Sequence, residues 1–247
     1  MGGIPEVAWN GACRYDDSTY SCTARAPSVC AGRISFVFNL QGPCMTIDTA
    51  CSGGLTVVDV ATKYMSLGMC DVAIVAGVNL LLSPHFTNQL AAAKMLSPTN
   101  RCHTFGQSVD EYVRGEGCGA IIMRSSVENA IAFNHDIWAT VRASMVSQDG
   151  VRPTLTSPNP TAQAMLIEEV IGSCHLEKDS IDAVECHGTG TPLGDPIEIA
   201  ALYRLQTDVT RSVRALMSMC VVKAVAQLLC DRQLKMLLRL IMIFGQQ

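Results

Sequence analysis

Ile47-Asp48-Thr49-Ala50-Cys51-Ser52-Gly53-Gly54 decides how this chain is read. Before it, the mostly apolar run Cys44-Met45-Thr46-Ile47 follows a Gly42-Pro43 turn and reads as a short strand. After it, Leu55, Val58, Thr62 and Met65 recur at helical spacing, and Gly68 supplies a stop. A cysteine at such a strand-to-helix corner lies beside unpaired N–H groups and the positive end of the helix dipole. Both favour thiolate over thiol, which suits a nucleophile. The small residues Ala50, Ser52, Gly53 and Gly54 let backbone or substrate approach closely. A buried structural cysteine is the ordinary alternative, and the corner alone does not separate the two.

Working outward, the 247 residues suffice for a full core in one or two domains. Hydrophobic residues make up 49% and aromatics only 5%, so the interior is expected to be aliphatic and rich in small side chains. A formal net charge of −4 gives no global reason to expect nucleic-acid binding. The twelve cysteines contain no CxxC pair and no zinc-finger spacing, so no metal site is expected. The polar start Asn10 to Thr19 carries no secretory pattern. These features point to reduced thiols in an intracellular setting, cytoplasmic or organellar.

Residues 1 to 26 have no clear period and read as loop. Val29, Phe36, Val37 and Leu40 share one helical face, although Ile34 to Phe38 would also suit a strand. Val72 to Val78 is a continuous apolar run that suits a strand buried on both faces, and Cys118 to Met123 is another. Residues 83 to 117 read as loops with short helices. A boundary is placed at Asn134-His135-Asp136. Beyond it, Ile137 to Met145 alternates with a period of two, as a strand with one buried face does. A helix near 161–172 and a strand over Ile181 to Glu185 follow. Asp195-Pro196 then reads as a cap and first residue of another helix, with Glu198 two later. Alternating strands and helices give an α/β fold with mostly parallel sheets.

The segment GPCMTIDTACSGGL, residues 42–55, closely resembles the active-site segment of the β-ketoacyl synthases, condensing enzymes of polyketide and fatty-acid synthesis. The resemblance continues through DVAIVAGVNLLLSP (71–84), MLSPTNRCHTF (95–105), YVRGEGCGAIIMR (112–124), SQDG (147–150) and ECHGTGTPLGDPIE (185–198). It covers roughly residues 28 to 205. It implies a thiolase-like layered fold with two similar halves, incomplete at both ends, and it favours helix over strand around Phe36. The halves are residues 1–133 and 134–207, followed by a divergent apolar tail over 208–247.

The resemblance implies that Cys51 carries the acyl chain as a thioester and that His187, in HGTGT, is a catalytic histidine. It implies that Thr189 and Thr191 contact the phosphopantetheine arm of an acyl carrier protein, the bland alternative being turn chemistry. The reaction is a decarboxylative Claisen condensation with a malonyl-type thioester, with no bound cofactor, and the implied assembly is a homodimer. Arg114-Gly115-Glu116-Gly117 lacks a following Lys-Ser/Thr, so it is no P-loop and reads as packing beneath the site. His85 and His103 have no motif support as ligands.

The tail departs from the family pattern. A KxNIGHLE-like segment, whose lysine and second histidine complete the site, is expected there. Val221-Val222-Lys223 matches its start, giving Lys223 as a supporting residue, but the histidine position falls at Leu228 and no histidine follows His187. Residues 208–247 hold six Lys/Arg against two Asp, a net of +4. The largely apolar Leu234 to Phe244 would suit an amphipathic helix but is too short to span a bilayer, so no integral membrane segment is expected, and a departure from the ancestral reading frame or a truncated domain is the favoured reading of the tail. Two rival functions remain: a thiolase-like or chain-initiating acyltransferase, and a degenerate homologue that does not condense.

Overall fold

The structure, a computed structural model, describes residues 19–178, 181, 183–204, 214–217 and 239–246. A short helix α1 (Ser21–Arg25) precedes α2 (Ser28–Phe38), so the expected lead-in loop is helical at its end. The irregular segment 43–49 then enters a tight 3-10 turn, Ala50–Ser52, which runs directly into α3 (Gly53–Ser66). The strand expected at Cys44 to Ile47 does not form: the segment has no regular structure and joins no ladder among the described residues. An apolar run fixes direction only; a ladder needs a partner in register.

Strand β1 (Val72–Asn79) and β2 (Gly117–Arg124) pair antiparallel from Val72 opposite Arg124 to Asn79 opposite Gly117, with α4 (Pro84–Ala92) and the loop 93–116 between them. After α5 (Val127–Ala132), β3 (Thr140–Gln148) pairs in parallel with a late strand, β6 (Arg239–Gln246). Helix α6 (Pro160–Ser173) leads to β4 (Ala183–Cys186), which pairs in parallel with β5 (Arg214–Met217), and α7 (Gly194–Tyr203) lies between those two in sequence. Two of these three pairings are parallel and one is antiparallel. The described end of the tail is therefore a strand, not the amphipathic helix that its composition would suit. The remainder of 205–238, including Lys223, lies outside the described residues.

Helix α3 packs against β1 on one side and β3 on the other, so it occupies a layer between two sheets. Its first face is apolar: Leu55 and Val58 bury against Val75, with Ile121 and Met123 around them. Its second face is polar. Asp59, buried beside Lys63 at 2.6 Å, accepts a 2.9 Å hydrogen bond from the Ser144 hydroxyl of β3. A second core gathers Ala164, Ile167, Val170 and Ile171 of α6 with Ala201 of α7, against Ala143 and Met145 of β3. Val58 and Val170 are 1% and 0% exposed, and burial of each contributes roughly 1.5–3 kcal/mol.

The helix ends follow local rules. Gly68, at φ +69, closes α3 with paired bonds, Gly68 N–H to Met65 O and Met69 N–H to Tyr64 O. Asn39, Lys94, Asn134 and His175 make the same left-handed closure after α2, α4, α5 and α6. Asn159 caps α6 by accepting from the Thr161 and Ala162 N–H groups, with Pro160 at the first helical position.

Two faces expected to be covered are open. Val75 and Gly77 of β1 are buried but Val72 and Ile74 are not, and Ile122 of β2 is 73% exposed. Phe36 of α2 is 88% exposed. An unbroken apolar run marks a strand that can be covered twice; whether it is depends on which elements lie over it.

Candidate active site

Cys51 is exposed in the middle of the 3-10 turn, one residue after Ala50, whose φ is +51. That conformation is unfavourable for a residue with a Cβ, by about 1–2 kcal/mol. It is held by Asp48, whose Oδ1 accepts the Ala50 N–H at 2.9 Å. The Ser52 hydroxyl lies 2.9 Å from Thr49 O and 2.8 Å from Thr49 Oγ1. Thr49 Oγ1 is 3.0 Å from Thr56 Oγ1, and the Thr56 hydroxyl donates to Ser52 O at 3.1 Å. Ser52, Gly53, Gly54 and Thr56 are buried, so the turn is anchored from beneath while the thiol side stays open. The first turn of α3 contains no acidic residue, leaving the positive end of its dipole unneutralised there.

His187 follows β4 on a loop that enters α7. Glu198 binds that loop with both oxygens: Oε1 accepts the His187 N–H at 2.5 Å and Oε2 the Gly188 N–H at 2.8 Å. Asp195 divides its carboxylate. Oδ1 accepts the Gly190 N–H at 3.0 Å, and Oδ2 accepts the Phe105 N–H from a separate loop at 2.6 Å. From that same loop the Thr104 hydroxyl donates to Gly188 O at 2.7 Å, and the Glu111 N–H donates to Gly190 O at 3.0 Å. Gly188 and Gly190 have φ +53 and +74, and a Cβ on Gly188 would stand 2.8 Å from the Thr104 methyl group. Only glycine fits there.

Asp195 does not cap α7. The helix starts one residue earlier, at Gly194, and the Thr191 hydroxyl accepts the Gly194 N–H at 3.0 Å. The Asp-Pro pair matches a cap in sequence, but the Asp195 carboxylate is drawn backward to two amides outside its helix. Thr191 thus performs the turn chemistry of its type, with Thr189 Oγ1 3.2 Å away.

The electrostatics of the loop are set by burial and the two carboxylates. Desolvation holds His187 below its usual pKa, opposed by Glu198 and Asp195, so the imidazole is neutral near pH 7. The neighbouring Cys186 is pushed up to about 12, first by burial and then by Glu198, Asp195 and Glu185. It is a thiol throughout the physiological range.

The structure places Cys51 and His187 on separate supports. The hydrogen bonds described around residues 48–56 and those around 187–198 share no residue. The residues that sequence reasoning missed are Asp195 and Glu198 as loop anchors and Thr104, Phe105 and Glu111 as the opposing clamp. The two carboxylates three apart, next to a glycine-rich loop, were the available signal. Arg114-Gly115-Glu116-Gly117 is a brace. The Asn79 amide donates to Gly115 O, the Leu81 N–H to Glu116, and Arg114 to Thr87 while stacking on Phe86. His103 touches Thr99, and His85 is exposed at the start of α4. Among the described residues no group of three or more His, Cys, Asp or Glu is placed to hold a metal, and no helix is long and apolar enough to cross a membrane.

Comparison with known proteins adds sequence and fold relatives. Residues 8–129 match the family model "Beta-ketoacyl synthase, N-terminal domain" and residues 138–226 match "Beta-ketoacyl synthase, C-terminal domain". The chain is 41% identical over 193 residues to a phenolphthiocerol/phthiocerol polyketide synthase of Mycobacterium tuberculosis, covering 78% of this chain and 9% of that protein. It is 42% identical over 174 residues to the polyketide synthase PksM of Bacillus subtilis, covering 70% and 4%. Among solved structures, the ketosynthase from module 6 of the bacillaene synthase of Bacillus subtilis superimposes with a TM-score of 0.80 at 30% identity, covering 88% of this chain and 41% of that one. The oxazolomycin ketosynthase domain OzmH KS7 of Streptomyces albus gives 0.79 at 33%, covering 87% and 40%. The chain therefore spans under a tenth of these two polyketide synthases and about two fifths of the ketosynthase chains.

Proposed function

The chain belongs to the β-ketoacyl synthase family, and from that premise we propose that it carries the acyl-accepting site of a polyketide-type condensing enzyme. The observation that carries this reading is the Cys51 turn: an exposed thiol at the N-terminal end of α3, on a backbone anchored from beneath. The Cys51 thiolate attacks the carbonyl carbon of an acyl thioester, a tetrahedral oxyanion forms, and the carrier thiol leaves. That oxyanion needs N–H donors aimed at it, and by resemblance to the family the Cys51 backbone is assigned as one of them. In the second half-reaction a malonyl-type thioester loses CO₂, and its carbanion attacks the Cys51 thioester, releasing the thiolate. His187, neutral near pH 7, donates a hydrogen bond to the enolate oxygen.

Thr189 and Thr191 lie on the same loop as His187 and are assigned to the phosphopantetheine arm, which arrives on an acyl carrier protein as part of the substrate. Lys223 is assigned a supporting role by its sequence match alone. The open apolar faces of α2, β1 and β2 support a homodimer, and an intracellular setting belongs to the same reading. The division into halves 1–133 and 134–207 with a tail over 208–247 belongs to the same reading.

A second reading, a homologue that accepts acyl groups without condensing them, is favoured by Leu228 standing where the family pattern would put its second histidine. Loss of one hydrogen-bond donor to a developing oxyanion typically slows a reaction by about 10²–10³. Incubation with an acyl thioester should give a slow mass increase on Cys51, abolished by Cys51→Ala. Addition of malonyl carrier should then yield little ketoacyl product. Absence of acylation sinks the proposal; condensation as fast as acylation rejects the second reading.

A further inference from the structure

Backbone strain in this molecule is not scattered. Among the described residues eight non-glycines have positive φ, and four of them, Asn39, Lys94, Asn134 and His175, are the ordinary left-handed closures of helices. The other four are Ala50, beside Cys51, and Asn100, Phe105 and Glu111, all in the loop opposite His187. Two of these three send their amides out of their own loop: Phe105 N–H to Asp195 and Glu111 N–H to Gly190 O. Glu111 is the outlier of the set, at φ +86, beyond the left-handed basin that ends near +70 for residues with a side chain.

The neck of that loop is closed by Ser97 N–H bonding to Tyr112 O at 3.0 Å, and by the Thr99 hydroxyl bonding to Asp110 at 2.7 Å. The loop meets the His187 loop through Thr104 and Phe105 on its far side and through Glu111 at the neck. Gly190 is consequently held at both its polar atoms, its N–H by Asp195 and its carbonyl by Glu111. Glu111 O and His103 N lie 3.5 and 3.4 Å from where a Cβ on Gly190 would stand, so the two loops approach closely at this glycine.

We propose that the loop 97–112 is a strained clamp that positions His187, and that Glu111 is its positioning residue through its backbone, not through its carboxylate. Strain of this kind persists only where surrounding contacts over-determine the conformation. Here those contacts are the ones that fix the His187 loop. The position therefore tolerates any side chain without a branch at Cβ and is best served by glycine, which adopts the same φ without penalty.

The inference rests on the reading of His187 as the site histidine, but neither of its tests requires turnover. Thermal unfolding of Glu111→Gly, Glu111→Ala and Glu111→Val comes first. Glycine should raise Tm by about 2–4 °C, alanine should leave it near wild type, and valine should lower it. NMR titration of the His187 ring, assigned with a His187→Gln variant, comes second. Wild type, glycine and alanine variants should share one titration below the usual histidine range, and valine should move it upward as the loop loosens and water enters. If glycine is no more stable than alanine, or if valine leaves the His187 titration unmoved, the clamp is wrong. If alanine and glycine both move the titration, the carboxylate is the working group and the backbone proposal falls. Failure of Cys51 acylation would overturn the condensing reading and leave these results standing.

Discussion

Cys51 and His187 each sit on a short irregular segment that runs into a helix, yet the two segments are built from opposite materials. The Cys51 turn is held by residues within four or five positions of itself, almost entirely through neutral hydroxyls: Thr49, Ser52 and Thr56, with Asp48 as the single carboxylate. The His187 loop is held by two carboxylates from the helix that follows it and by a second loop some 80 to 90 residues away in sequence. The consequence for ionisation is visible at Cys186. Placed one residue from His187, a thiol is buried among Glu198, Asp195 and Glu185 and pushed up to about 12. A nucleophilic cysteine could not operate in that loop. Carboxylates suit amides and a neutral imidazole, while a thiolate is favoured by a helix N-terminus whose first turn carries no acid, as in α3.

The largest test of this contrast is thiol reactivity. At pH 8 a thiol with a pKa near 12 is ionised in about one molecule in 10⁴. Iodoacetamide followed by peptide mapping should therefore label Cys51 at least about 10³ times faster than Cys186, and ahead of the exposed Cys22, Cys44 and Cys118. Comparable labelling of Cys186 in the folded protein would erase the distinction, and unfolding should abolish the ordering.

Next in size is the anchoring itself. Glu198→Ala strips acceptors from two amides at once and should destabilise the protein by about 2–5 kcal/mol, measured from the shift of a urea unfolding midpoint. Thr49→Val at the Cys51 turn removes only neutral hydroxyl bonds and should cost about 1 kcal/mol. Equal effects would mean that the carboxylates add nothing beyond ordinary turn bonding.

The smallest effect is on acid stability. The folded-state pKa of His187 is depressed, so the unfolded chain takes up a proton that the folded chain resists. Stability from this group is complete above the unfolded value near 6.5 and is lost as pH falls below it. Glu111 has the opposite sign. Its carboxyl is raised by burial and by Asp110, so its contribution is present in acid and lost as pH rises through its folded pKa. His187→Gln should flatten the decline of Tm between about pH 6.5 and 5, and an unchanged slope would assign the decline to other groups.

Much of the frame was legible in advance because it is local. The spacing of Leu55, Val58, Thr62 and Met65 and the stop at Gly68 define α3, and the period of two before Met145 finds β3 three residues early. The motif order carried the family and placed Cys51 and His187 on loops entering helices. The reading of Asp195 as a cap failed for an instructive reason. Cap rules assume that a side chain bonds to its own helix, and here amides from Gly190 and Phe105 compete for the carboxylate and win.

By itself, then, the sequence determined the α/β class, the family and such elements as α3 and α6, and it singled out Cys51 and His187 as candidates, since each of these is written in spacing or in contiguous motifs. Tertiary structure alone decided that α3 lies between two sheets with an apolar and a polar face, that Ile122 and Phe36 stand open, and that Phe105 and Glu111 clamp the His187 loop. These depend on hydrogen bonds and packing between residues far apart in the chain. No local period encodes which amide will meet which carboxylate once the chain has closed on itself.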